Sequence, residues 1–191
     1  TYLDQCAPRS GETTVSKAAD SCEQQLAAIA PIVRGLLATP TPGSRHSCQR
    51  VVLQPLTDTK TNALLANLET SLLISPPLTG DHLVRTKPLP AWLENPDFGD
   101  EESFRSQLES VLTMYSHNYQ VYFERHKSRL SAAVTAHDPK PRVLFIDGLG
   151  ALCAGTDVTS ARIVRDITAQ TLAVKGRIAA MTGVYRVPEE E

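Results

Sequence analysis

Apolar and polar positions along this chain repeat with two different periods. Across residues 15–38, Ala18, Cys22, Leu26, Ile29, Ile32, Val33, Leu36 and Leu37 recur at spacings of three and four, the stripe of an amphipathic helix. Pro31 falls inside that stripe. Proline lacks the backbone donor and crowds the preceding turn, so a kink or break near Ala30 is predicted. Residues 101–130 give the longest predicted helix, with Phe104, Leu108, Val111, Leu112, Tyr115, Tyr119, Tyr122 and Phe123 on one broad face. Its first turn holds Glu101 and Glu102 and its last Arg125, Lys127 and Arg129, as the macrodipole favours. A further helix follows Asp157, a good N-cap, with Ala161, Val164, Ile167, Thr168, Thr171 and Leu172 in line.

Shorter apolar runs predict strands. Val143 to Ile146 is bounded, β-branched and aromatic, and reads as a buried strand. Asp147, Gly148 and Gly150 then form a tight turn. Residues 151–154 make a second strand that ends at Gly155. Residues 50–56 read as another strand, with Pro55 marking its end or an edge. Asp58 or Thr59 caps a short helix through Leu68, and residues 70–74 fit either helix or strand before Pro76 and Pro77. Leu83 and Val84 suggest one more short strand. The expected product is an α/β fold, a layered αβα arrangement around a small mixed sheet of at least four strands. Residues 15–187 are expected to form one domain, with 1–14 a linker or tail and 188–191 the start of a linker.

Composition narrows the partners. The 191 residues are 41% hydrophobic with a net charge of -2, enough for a core and without the basic footprint of a nucleic-acid binder. No apolar run approaches the ~18 residues of a membrane span, and no signal peptide is visible. The chain opens on Thr1 rather than Met and closes on three glutamates, so a segment of a longer protein is expected. Cys6, Cys22, Cys48 and Cys153 form no Cys-x-x-Cys pair. They are expected to stay reduced, which points to the cytoplasm.

The candidate chemistry is sparse. Gly148-x-Gly150 follows a strand, but Gly155 comes five residues later and a strand, not a helix, opens between them. The dinucleotide fingerprint needs the opposite, so a structural turn is expected of Asp147, Gly148, Gly150 and Gly155. The five histidines, His46, His82, His117, His126 and His137, offer no paired ligand spacing, and no metal site is expected. No nucleophile elbow is present. What remains is the segment containing Thr79, Asp81, His82, Arg85 and Lys87. If it is extended, Asp81, Leu83, Arg85 and Lys87 share one face. Arg85 and Lys87 could then hold a phosphate or carboxylate. The alternative is a structural network of these same groups.

At these residues a family resemblance emerges. Leu78-Thr79-Gly80-Asp81-His82-Leu83-Val84-Arg85-Thr86-Lys87 resembles the Thr-Pro-Asp-His-hydrophobic-x-Arg-Thr-Lys signature of bifunctional class II aldolase/short-chain dehydrogenases, the rhamnulose-1-phosphate aldolase/alcohol dehydrogenase group. Tyr115, Tyr119, Tyr122-Phe123 and Arg125 resemble its Tyr-rich helix. Pro141-Arg142-Val143, Gly148-Leu149-Gly150, Gly155-x-Asp157, Ala161-Arg162-Ile163 and Asp166-Ile167 resemble the run that follows it, and Tyr185 to Glu189 fits its close. Gly80 and Asp147 stand where the family has prolines.

The resemblance implies the middle region of such a protein, similar to a degenerate class II aldolase (adducin head) domain. Asp147-Gly148 stands where that domain has a metal-binding His-Gly. It also implies a non-catalytic role that positions the flanking aldolase and dehydrogenase domains, with a sugar phosphate as a further possible ligand. No cofactor is expected in this chain; the resemblance places zinc in the aldolase domain and NAD in the dehydrogenase domain. Neither nucleic acid nor a membrane is an expected partner, and a homo-oligomer is compatible. The rival expectation is a stand-alone sugar-phosphate aldolase or isomerase, with Arg85 and Lys87 on phosphate and His82 as acid/base.

Overall fold

A computed structural model of the chain describes residues 12–41, 47–129 and 138–181, with side chains from residue 21 onward. Cys6, His46, His137, Leu130 and the Tyr185 to Glu189 motif lie outside the described residues. The elements are α1 Glu12–Leu37, β1 Thr39–Pro40, β2 Cys48–Gln49, β3 Val52–Leu56, α2 Thr59–Asn67, α3 Thr70–Leu73, α4 Gly80–Thr86, β4 Ala91–Leu93, α5 Glu101–His126, β5 Val143–Ile146, β6 Gly150–Gly155 and α6 Val158–Ala180. A 3-10 turn, Lys127–Arg129, extends α5.

Four strands form the main sheet in the order β3-β6-β5-β4. The β3–β6 and β6–β5 pairs are antiparallel and β5–β4 is parallel. The sheet is therefore mixed, as expected. The alternation of β5 and β6 assigns the two faces. Leu144, Ile146, Leu152 and Ala154 point to α1 and α5, where Ile29, Val33, Leu37, Phe104, Leu108 and Leu112 meet them. Val143, Phe145, Ala151 and Cys153 point to the other layer, against Leu65, Leu73, Val164 and Leu172. Both faces are covered, which is why these strands read as continuous apolar runs.

Local rules account for most element boundaries. Asp58, Asp100 and Asp157 each accept a backbone N–H at the first turn of α2, α5 and α6. Pro55 lies in β3, an edge strand, where its missing donor costs little. Residues 70–74 resolve as the short helix α3. The structure decides against a break in α1 and against one expected strand. No break occurs near Ala30, because α1 runs through Pro31 as one helix. A proline there costs about 3 kcal/mol. Burying each of Ile29, before the proline, and Ile32, Val33 and Leu37, after it, returns roughly 1.5–3 kcal/mol and holds both halves on the same core. Pro31 itself is exposed. The strand expected at Leu83 and Val84 is instead α4. The Thr79 hydroxyl accepts the His82 N–H at 3.2 Å, and this cap outweighs a β signal only two residues long.

The β5–β6 hairpin turns on Asp147, Gly148 and Leu149. The Leu149 N–H donates to the Ile146 carbonyl at 3.1 Å, and Gly148 and Gly150 take φ of +73° and +130°. Gly155 meets a different demand. A Cβ there would stand 2.4 Å from the Ala161 nitrogen, so the glycine lets α6 seat directly on the end of β6. Gly155→Ala is expected to lower stability by about 1–3 kcal/mol through that clash. Gly35, exposed in α1 with open space around it, should behave oppositely, Gly35→Ala gaining about 0.5–1 kcal/mol. Urea melts of the two variants check both signs.

Candidate functional site

The helical conformation of α4 rearranges the residues singled out in the sequence. Thr79 is the cap and Asp81 is exposed in the first turn. Arg85 is exposed in the last turn, while Lys87, the C-cap at φ +67°, is only 8% exposed. In a helix, positions two apart point about 200° from each other, so the shared strand face expected for Arg85 and Lys87 does not exist. The Lys87 ammonium turns inward instead. It donates to the carbonyls of Asp138 and Lys140 and stands 4.9 Å over the Tyr119 ring. Burial lowers its pKa to about 8, with Asp138 opposing the shift and Arg142 adding to it. Lys87 thus clips the end of α4 to the chain that enters β5. His82 is half-buried, and its Nδ1 has no partner among the described residues.

A second buried lysine escaped the sequence reading. Lys175 is 2% exposed and donates to the carbonyls of Leu73 and Ser75 at 3.3 and 2.9 Å. Burial alone lowers its pKa to about 8. The signal was present. The buried stripe Ala161, Val164, Thr168, Leu172 ends on Lys175 at the next helical position, where an apolar residue is the rule. Both lysines line a cavity of about 30 Å³ with Thr86, Phe145 and Thr171.

The large concavity lies elsewhere, along β4, the outer strand of the sheet. It encloses about 860 Å³. Ile74 and Pro76 form one wall, and Val111, Met114, Tyr115 and Tyr119 of α5 form the other, so the groove straddles the open sheet edge. Leu89, Met114 and Tyr122 at its margin are exposed. The Tyr115 hydroxyl donates to the Leu89 carbonyl at 3.0 Å and braces the groove, and burial pushes that phenol above its ordinary range. Trp92 lines the groove, and its indole N–H is buried without an acceptor among the described residues. In sequence, the tyrosines of α5 read as one core face. The hint of a second role was that this face is too broad for a single stripe.

The turn that resembles a metal-binding His-Gly does not fit zinc. The Asp147 N–H donates to the Leu93 carbonyl at 3.0 Å. Among the described residues no group of three His, Cys, Asp or Glu side chains gathers to hold an ion. Cys22, Cys48 and Cys153 are free thiols, and burial raises Cys153 to about 12. No helix among the described residues is long and apolar enough to cross a membrane.

The two lysines make stability pH-dependent. Each falls from the ordinary 10.5 to about 8 on folding, so between those values the unfolded chain holds more protons and stability rises with pH. Cys153, shifted upward from 9.0, and Tyr115, shifted upward from 10.0, act in the opposite sense above about pH 9 and pH 10, one group at a time against two lysines. The urea midpoint is therefore expected to rise from about pH 8 to pH 10. Lys175→Met should flatten that rise.

Compared with known proteins, residues 24–191 match the family described as Aldolase class II, second domain. The chain is also 25% identical over 112 residues to YuxG of Bacillus subtilis (strain 168), described as an uncharacterized oxidoreductase. That match covers 58% of this chain and 16% of YuxG, so the chain spans only a small part of the relative's length. No solved structure matches at a significant level. With a layered α/β fold and a match across most of its residues, the chain belongs to the family of class II aldolase second domains.

Proposed function

We propose that this chain is a non-catalytic domain that positions catalytic modules within a longer protein, an aldolase module before it and a dehydrogenase module after it. The family description supports the aldolase side and the described activity of the relative supports the oxidoreductase side. In this reading zinc and NAD belong to the flanking modules, and a sugar phosphate is their substrate. The observation that carries it is the groove at the β4 edge. An apolar concavity of about 860 Å³ beside an edge strand whose outer side is unpaired among the described residues is the signature of a surface that meets another surface. The ionisable motif supports the same reading, since Lys87 is engaged in holding two backbone segments together. The rival enzyme reading needs Arg85 and Lys87 on one phosphate. The exposed Arg85 and the inward Lys87 work against it.

Two measurements separate these readings. Retro-aldol turnover of a sugar phosphate by the 191-residue chain alone would overturn the proposal; no turnover is expected. In the intact protein, Met114→Glu and Leu89→Glu place charges in the groove at exposed positions. Each is expected to weaken module docking about 5- to 30-fold, as 1–2 kcal/mol of lost contact implies. Limited proteolysis between modules would read that loss, and the melting of the isolated chain should stay nearly constant.

A further inference from the structure

Cations gather where the chain enters β5, and the described residues set one acid among them. Lys140 and Arg142 line a cleft of about 50 Å³, together with Asp138, Thr39 and Gln49 near the β1–β2 ribbon and Thr156 at the β6–α6 turn. The Lys87 ammonium lies against the same segment, on the carbonyls of Asp138 and Lys140. The Asp138 carboxylate acts on the Lys87 ammonium and already accepts the Lys140 backbone N–H at 3.0 Å, while Lys140 and Arg142 share its cleft. Asp157, which follows Thr156 of the cleft, is turned to its own helix. It accepts the Ser160 N–H at 2.8 Å and the hydroxyls of Ser160 and Thr156 at 2.7 and 3.2 Å. The side chains of Lys140 and Arg142 have no partner among the described residues. Like charges held together at partial burial repel unless an anion joins them, and Arg142 does add to the depression of the Lys87 pKa.

We infer that this cleft is an oxyanion site, in which the Arg142 guanidinium and the Lys140 ammonium take a phosphate or carboxylate group. The planar fork of arginine suits two oxygens of one such group, and Lys140 adds a point charge beside it. A cleft of about 50 Å³ takes the anionic head of a small molecule and leaves the rest outside. The charged residue pair differs from the Arg85 and Lys87 suggested by the sequence, because α4 sends those two apart. The inference does not depend on the groove at β4.

The test uses the full 191-residue chain. Inorganic phosphate and acetate are titrated against chloride at matched ionic strength, and amide resonances and melting temperature are followed. Saturable shifts confined to residues 138–142 and 154–157, with a rise in melting temperature, are expected for at least one of the two anions. Which anion binds more tightly identifies the ligand head. Arg142→Gln should weaken that binding at least tenfold and Lys140→Gln at least threefold, while Arg85→Gln leaves it unchanged. If Arg142→Gln does not fold, Lys140→Gln carries the test. Shifts equal to those in chloride would overturn the inference. So would an unchanged affinity in Lys140→Gln, or equal weakening by Arg85→Gln.

Discussion

The β5–β6 hairpin has no wet face, and the rest of the fold answers that constraint. Every residue of both strands is buried. A half-buried sheet could stand with helices on one side only, but this one needs a layer on each. The two long helices α1 and α5 supply one layer, and α2, α3 and α6 supply the other. Close approach follows from the same demand. Gly155 brings α6 down onto the strand end, and Gly150 lets the hairpin pack against the end of β3, where a Cβ would stand 2.6 Å from the Leu56 carbonyl oxygen.

Two ammonium groups stand where this packing leaves backbone carbonyls short of donors. An unpaired buried carbonyl costs about as much as a lost hydrogen bond, and a buried charge costs more unless it is hydrogen-bonded. Lys87 and Lys175 answer both costs at once, each serving two carbonyls of a connecting segment. The heads fasten residues 73–75 to α6 and residues 138–140 to the end of α4. Burial, which lowers the pKa of both lysines, is the residual cost of that arrangement.

The sheet's two edges are treated differently. The β3 edge carries Pro55, which withholds a donor from any incoming strand. At β4 the flanking layers overhang the last strand and leave an apolar groove. Among the described residues one edge is protected and the other lies open beside exposed Leu89, Met114 and Tyr122, which is the side the proposed function assigns to contact. The oxyanion cleft lies at the entry to β5, so docking and ligand binding would draw on different residues.

By itself the sequence determined whatever depends on neighbours along the chain. The stripes of α1, α5 and α6, a cap at Asp58 or Thr59, the N-cap Asp157, the apolar run at β5 and the glycine turn are local statements, and each was legible. So was the layered class, because strands apolar on both sides require two covers. Tertiary structure decided what depends on contacts far along the chain. Pro31 stayed in a helix because the core holds both flanks of it. The Leu83 and Val84 signal lost to the Thr79 cap. Lys87 became a clip because its carbonyl partners lie 51 and 53 residues away, and Lys175 became buried because its partners lie 102 and 100 residues away. Periodicity shows which side of a helix is buried, but a lysine's partner across the fold leaves no periodic trace in the sequence.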